Sequence, residues 1–299
     1  MKKRFSKTIT FGVLTFSVFL ILNSCSEEIT ENSAIADSIT FFSSFDNGLN
    51  ADYSKGDPVF YIAPSWSNRD RYQPFTDQAD HVEIHKNEGR YRHALRIENG
   101  YSPVYFYKGE QNISYREENW SGSVSFWLKL DPETDLAPGY SDPIQITTRS
   151  WNDGALYVDF TIEQPRRFRF AFFPDREVWD PEEREWEEVP VDEWPMVVLE
   201  DMPFSSDGWT FVAFTFRNYN SGEPNAAIDC FIQGEYVGSL ENIEQTITWN
   251  PEEIAIWLGY NFRGYFDELA IYNRELNREE VKYIFELHEG LSGILQKDN

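Results

Sequence analysis

The chain has only two cysteines, four histidines and three methionines in 299 residues. So few thiols exclude a disulfide-stapled scaffold, and so few imidazoles leave little room for histidine-based nucleophilic catalysis. No G-x-S-x-G elbow, Walker loop, dinucleotide fingerprint or zinc-ligand spacing is present. Positive charge is scarce too. Against 51 Asp and Glu stand 26 Lys and Arg, a net charge of −25. A surface of that sign repels nucleic acid and anionic lipid headgroups, which removes nucleic acid from the expected partners. The one long apolar run, Phe11 to Leu22, is too short and too N-terminal for a mature membrane span.

That run follows the basic residues Lys2, Lys3, Arg4 and Lys7 and closes on Leu22-Asn23-Ser24-Cys25. It resembles the lipobox of bacterial lipoproteins, with Ser24 small as that pattern asks and Asn23 larger than usual. The resemblance implies that residues 1–24 are a signal peptide and that Cys25 becomes the lipidated first residue. Ser26-Glu27-Glu28 is similar to surface-export tags. The expected location is therefore the outer membrane, facing the cell exterior, held by the lipid alone. Residues 25–38 are polar and acidic and read as a flexible tether. With Cys25 acylated, Cys230 has no partner for a disulfide. In Ala226 to Ile232 it reads as a small buried hydrophobe, and the domain must rely on its apolar core.

Aromatic residues, by contrast, are abundant at 17% of the chain. Apolar and polar residues alternate in many short segments between Gly, Asn, Asp and Pro turns, the pattern of an all-β protein. The clearest case is Ser123 to Leu130, where Val124, Phe126, Leu128 and Leu130 share one face. Similar runs recur from Ile39 to Tyr272 with no βαβ rhythm, which predicts a two-sheet antiparallel sandwich. One helix is expected. Asn277 and Glu280 have capping-box spacing, Val281, Ile284, Phe285 and His288 follow at helical spacing, and Gly290 offers a stop. Residues 291–299 read as a tail. The stretch 175–201 stands apart, with twelve acidic residues, two arginines, three tryptophans and three prolines. It reads as a long insertion loop with room for a hairpin of its own.

Gly208-Trp209-Thr210-Phe211-Val212-Ala213-Phe214, then Asp229 to Val237, then Gly259 to Phe285 carry a family resemblance in their order. With Phe45-Asp46, Gly89-Arg90-Tyr91 and Ser125-Phe126-Trp127 upstream, they resemble the laminin-G-like, concanavalin A-like jelly rolls over about residues 39–290. That resemblance implies two curved antiparallel sheets, with ligand sites on the concave face or the rim loops. It also implies a glycan or polysaccharide partner, and a structural calcium near the meeting of first and last strands. Asp267 matches the family's side-chain ligand best and Asp46 less well; calcium takes hard oxygen ligands.

Several constellations were candidates for chemistry. The hydrolase branch of this family places Glu, Asp and Glu at alternate positions of one strand, and no such run occurs. Asp192-Glu193 and Asp267-Glu268 are adjacent pairs, which on strands point to opposite faces. His81-Val82-Glu83-Ile84-His85 has metal-chelating spacing, although plain period-two alternation accounts for it. The basic clusters Arg90 to His93 and Arg166 to Arg169 suit an acidic sugar or local pairing with the many carboxylates. Tryptophans in loops are the better lead to sugars, whose C–H faces stack on indole. Trp179, Trp186 and Trp194 in the acidic insertion, and Trp151 in Trp151-Asn152-Asp153-Gly154, are the expected ligand contacts. Trp127, Trp209 and Trp257 fall in strands and read as core. Three functions stay open on this reading: non-catalytic glycan binding, polysaccharide hydrolysis or cleavage by a lyase, and docking of an envelope protein.

Overall fold

The computed structural model describes residues 32–76, 81–185 and 188–295. The strands in chain order are β1 (Ile39–Ser43), β2 (Tyr53–Ser54), β3 (Phe60–Ala63), β4 (Gln73–Pro74), β5 (Val82–His85), β6 (Ala94–Glu98), β7 (Val104–Lys108), β8 (Trp120–Lys129), β9 (Ser141–Thr147), β10 (Ala155–Phe160), β11 (Phe168–Phe173), β12 (Met196–Leu199), β13 (Thr210–Tyr219), β14 (Ala226–Ile232), β15 (Glu235–Ile243), β16 (Ala255–Tyr260) and β17 (Arg263–Tyr272). Among the described residues they form two antiparallel sheets. A nine-stranded sheet runs β15-β14-β13-β8-β17-β1-β2, with β6 also on β17 and β5 beyond it. An eight-stranded sheet runs β12-β11-β10-β9-β16-β7-β3-β4. The all-β, two-sheet antiparallel sandwich expected from alternation is the one observed, and so is the jelly roll implied by the resemblance.

The core lies between the sheets, as alternation requires. Val124, Phe126 and Leu128 of β8, and Leu130 just after it, point into it together with Ile144, Leu156, Phe170, Phe214 and Phe266. Each such side chain contributes about 1.5–3 kcal/mol by leaving water. The other face of β8 is also covered. Trp127 packs on Phe211 and on Phe285 of a C-terminal helix, Arg278–Glu286. Asn277 caps that helix, its side chain accepting from the Glu280 amide while Glu280 accepts from the Asn277 amide. The helix ends at Glu286, one turn before Gly290, and His288 lies beyond it.

Two expected boundaries are corrected. Residues 32–38 of the supposed tether are helical, with Ile35 fully buried against the outer layer formed by Ile39, Val281 and Ile284. Ser292–Leu295 of the supposed tail is a short helix, with Leu291 and Ile294 buried in the same layer. Apolar side chains dispersed among acidic ones escape a composition argument but still find a hydrophobic surface. Residues 25–31, Cys25 included, lie outside the described residues. So does Trp186, while much of the remaining insertion is regular: a helical turn at Arg176–Trp179, a 3-10 turn at Val191–Glu193, and β12, which pairs with β11.

Candidate functional site

The outer face of the eight-stranded sheet carries a groove of about 360 Å³. Its floor follows from strand register. Trp257 of β16 lies opposite Gln145 of β9, and Gln145 opposite Tyr157 of β10, so the three side chains share one face. Asp159 is two residues on from Tyr157, and Arg169 of β11 lies opposite Asp159. A register shift in the β9–β10 pairing between Val158 and Phe160 accompanies the entry of Asp142 into the same floor. The walls are aromatic: Trp66, Tyr101, Tyr140, Trp151 and Tyr260. Trp66 opens a 3-10 segment, Trp66–Arg71, and leans on Trp257 at a ring-centroid distance of 4.7 Å. Tyr101 meets Tyr260 edge-on at 5.2 Å. Gly139, at φ 108°, permits this rim, since a Cβ there would stand 2.0 Å from the Tyr101 hydroxyl.

Charge on the floor is arranged unequally. Arg169 grips Asp159 in a two-pronged pair, Nε to Oδ1 at 2.7 Å and Nη2 to Oδ2, and stacks under the Tyr140 ring at 4.9 Å. Burial raises the Asp159 carboxyl, and the guanidinium pulls it back. Asp142, 8% exposed, has no such cation. Burial pushes its carboxyl well above the ordinary range, and the charge of Asp159 adds to this. Gln145 Nε2, buried in the same floor, has no hydrogen-bond partner among the described residues. A buried donor left unmatched costs about 1–3 kcal/mol, which a ligand acceptor recovers.

Trp151 is the one expected sugar contact that lines this groove. Trp179 packs on Phe173 at 5.0 Å and donates its indole N–H to Asn152 O at 3.0 Å. Trp194 donates to Val189 O at 3.3 Å and faces Arg169 at 6.0 Å. Both sit at the insertion end of the sheet face, outside the groove lining. Trp66, Asp142, Gln145, Asp159 and Tyr260 escaped sequence reasoning. The available signal was the alternation Ala155, Tyr157, Asp159 against Arg169, Ala171, Phe173 on neighbouring strands, which sets two charges within an otherwise apolar face. Local pairing was one expectation for the Arg166–Arg169 cluster, and Arg169 pairs so, buried rather than at the surface.

A second cavity, about 300 Å³ and polar, is lined by Asp46, Tyr91, Arg92, Glu268 and His288. Asp267 is buried beside it, accepting from the Arg90 amide at 2.6 Å and the Glu268 amide at 2.8 Å. Burial pushes its carboxyl up to about 8 against those bonds, with the Asp46 charge adding to it. The expectation that Asp267 and Glu268 point apart does not hold, because β17 bulges there. Glu268 takes φ 49°, and its raised carboxyl, buried and beside the Asp267 charge, joins the same acidic group. The oxygen chemistry suits a hard cation such as calcium, although backbone amides donate to all three carboxylates and Arg92 lies 4.0 Å from Asp46. Against that, among the described residues no three His, Cys, Asp or Glu side chains are arranged to hold a metal ion. Backbone carbonyls would have to complete the shell. At β5, His85 meets Tyr265 at 3.2 Å and Glu83 at 3.5 Å, the contacts of an ordinary strand face.

Sheets, groove and rim together define a jelly-roll sandwich of the lectin-like kind. Residues 108–282 match the concanavalin A-like lectin/glucanases superfamily (Laminin_G_3), and the chain belongs to that family. No curated protein matches it. Among solved structures, domain 4 of an extracellular arabinanase from Geobacillus stearothermophilus, in complex with arabinotriose, is similar at 16% identity and TM-score 0.50. That likeness covers 82% of this chain and 97% of the other. The binding domain of botulinum neurotoxin serotype D is similar at 15% identity and TM-score 0.53, over 86% of this chain. The corresponding domain of neurotoxin DC, in complex with rat synaptotagmin II, is similar at 14% and TM-score 0.53. This chain spans about half the length of those toxin domains, 52% in each case. At such identities the likeness speaks to fold.

Proposed function

We propose that this chain is a lipid-anchored surface protein that binds glycan in the groove on its eight-stranded sheet, without catalysing its breakdown. The observation that carries the reading is the pairing of an aromatic wall with two polar groups of the floor: the Gln145 amide nitrogen, buried without a hydrogen-bond partner among the described residues, and the Asp142 carboxyl, raised by burial. Sugars present C–H faces to rings and hydroxyls to such groups. Similar folds are seen with arabinotriose and with a protein, synaptotagmin II, so the choice of a glycan rests on the groove itself. Hydrolysis is disfavoured because Asp159, the only second carboxylate on the floor, is held in both oxygens by Arg169 and is a poor nucleophile or base. Replacing both Trp66 and Tyr260 by alanine should weaken retention on a polysaccharide affinity gel by roughly 30-fold, the worth of about 2 kcal/mol at a binding hot spot. Unaltered mobility in a folded double variant would end the reading.

The anchor follows from Cys25. Substitution Cys25→Ser should abolish incorporation of labelled fatty acid and release the protein from the membrane fraction. A wild-type chain that never takes up the label would refute it. We propose further that calcium, bound through Asp267 and Asp46 with backbone oxygens, ties the bulge of β17 to the loops around Asp46 and Gly89.

A further inference from the structure

The groove floor holds two carboxylates and one cation, and that cation is already in use. Arg169 is 7% exposed, engaged through two nitrogens by Asp159 and covered by Tyr140. No other Lys, Arg or His is among the described residues that line the groove. Just past Trp66 a neighbouring pocket of about 460 Å³ carries Arg69 and Lys108. Lys108 there lies 3.8 Å from Asp57, while Arg69 is turned to backbone carbonyls, donating to Trp66 O at 3.2 Å and Thr148 O at 3.4 Å. That pocket also holds Asp70, Glu252 and Glu253. Asp142, in contrast, accepts no hydrogen bond from any described residue, and Tyr101, Tyr157 and Tyr260 all feel its charge.

We infer that Asp142 is a specificity-determining residue that restricts the groove to uncharged glycans and shuts out uronates and sulfated sugars. This rests on the groove being the glycan site. A ligand hydroxyl suits Asp142 in either protonation state, donating to the carboxylate or accepting from the acid. The same ligand accepts from Gln145. A ligand carboxylate or sulfate, instead, could accept from Asp142 only while that side chain is protonated; against its ionised form, and beside Asp159, it would be stripped of water with no unengaged guanidinium among the described lining residues to receive it. Specificity then comes from a repulsive element as much as from attraction. The net charge of −25 adds a long-range barrier to anionic polymers. An ammonium sugar gains Asp142 but meets Arg169, so the uncharged class is the better fit.

The test is affinity electrophoresis of the full mature protein against three kinds of polymer: neutral arabinan, xylan and mannan, anionic polygalacturonate, and cationic chitosan. Wild-type protein should be retained by a neutral polymer and at least about tenfold less by polygalacturonate. In Asp142→Asn the ratio of retention on neutral polymer to retention on polygalacturonate should fall at least about threefold, whatever the change in neutral binding itself. Equal retention on polygalacturonate, preference for chitosan, or an Asn variant that discriminates as before would each overturn the inference. The wild-type comparison alone decides it if the variant does not fold. Binding to none of these polymers, or binding indifferent to loss of Trp66 and Tyr260, would remove the groove and this inference with it.

Discussion

Arg169→Met is expected to destabilise the domain by roughly 3–5 kcal/mol, because it leaves a buried carboxylate without its counter-charge. Asp159 is 2% exposed and its two oxygens are both bound by the guanidinium. Methionine replaces the stem but not the charge, so Asp159 and Asp142 would face each other in a dry floor. At about 2–4 °C per kcal/mol for a domain of this size, the melting temperature should fall by roughly 10 °C. The loss has a pH signature. Without Arg169 the Asp159 carboxyl rises further, and Asp142 is already raised by burial and by Asp159. A carboxyl raised in the folded state contributes stability that is present below the ordinary carboxylate pKa and lost as pH climbs through the raised value. The variant's deficit should therefore be small near pH 4 and grow towards neutrality. Thermal melts across that range check it, and a deficit that is flat with pH would contradict the charge argument.

Calcium should raise the melting temperature, and a chelator should lower it. Mass action gives about 2.7 kcal/mol at a ligand concentration 100 times the dissociation constant, which corresponds to roughly 5–10 °C here. Three buried or half-buried acids, Asp46, Asp267 and Glu268, repel one another in the absence of a cation, which is why the effect should be large. Asp267→Ala also removes the acceptor of the Arg90, Tyr91 and Glu268 amides, so its melting temperature drops whether or not calcium binds. The diagnostic is the difference with and without calcium, which should vanish in Asp267→Ala and shrink in Asp46→Asn. A wild-type melt that ignores both calcium and chelator would refute the site.

Local pattern alone identified the sandwich. In β8 and the residue after it, the alternation Val124, Phe126, Leu128, Leu130 has a single stable use, since a one-residue slip would turn all four away from the core between the sheets. The helix at Arg278–Glu286 was equally determined, since Asn277 and Glu280 satisfy each other's amides within four residues. The groove was another matter. Asp142, Gln145, Asp159 and Arg169 come from β9, β10 and β11, which follow one another in the chain. Tyr260, however, reaches the groove from β16, distant in sequence from its sheet neighbour β9, and Trp66 from the 3-10 segment that it opens, so no spacing in the sequence brings the whole set together. Periodicity told that Trp257 belongs to a strand, and only strand order told that its face is the one it shares with Gln145 and Tyr157 of the groove floor. The bulge that joins Glu268 to Asp267 was likewise invisible, because a left-handed residue inside a strand leaves no mark when that residue is a glutamate. Short-range physics thus settled which segments are strands and which side is apolar. Which polar side chains meet on the far side, and which of them lack a partner, was decided by the closing of the sheets.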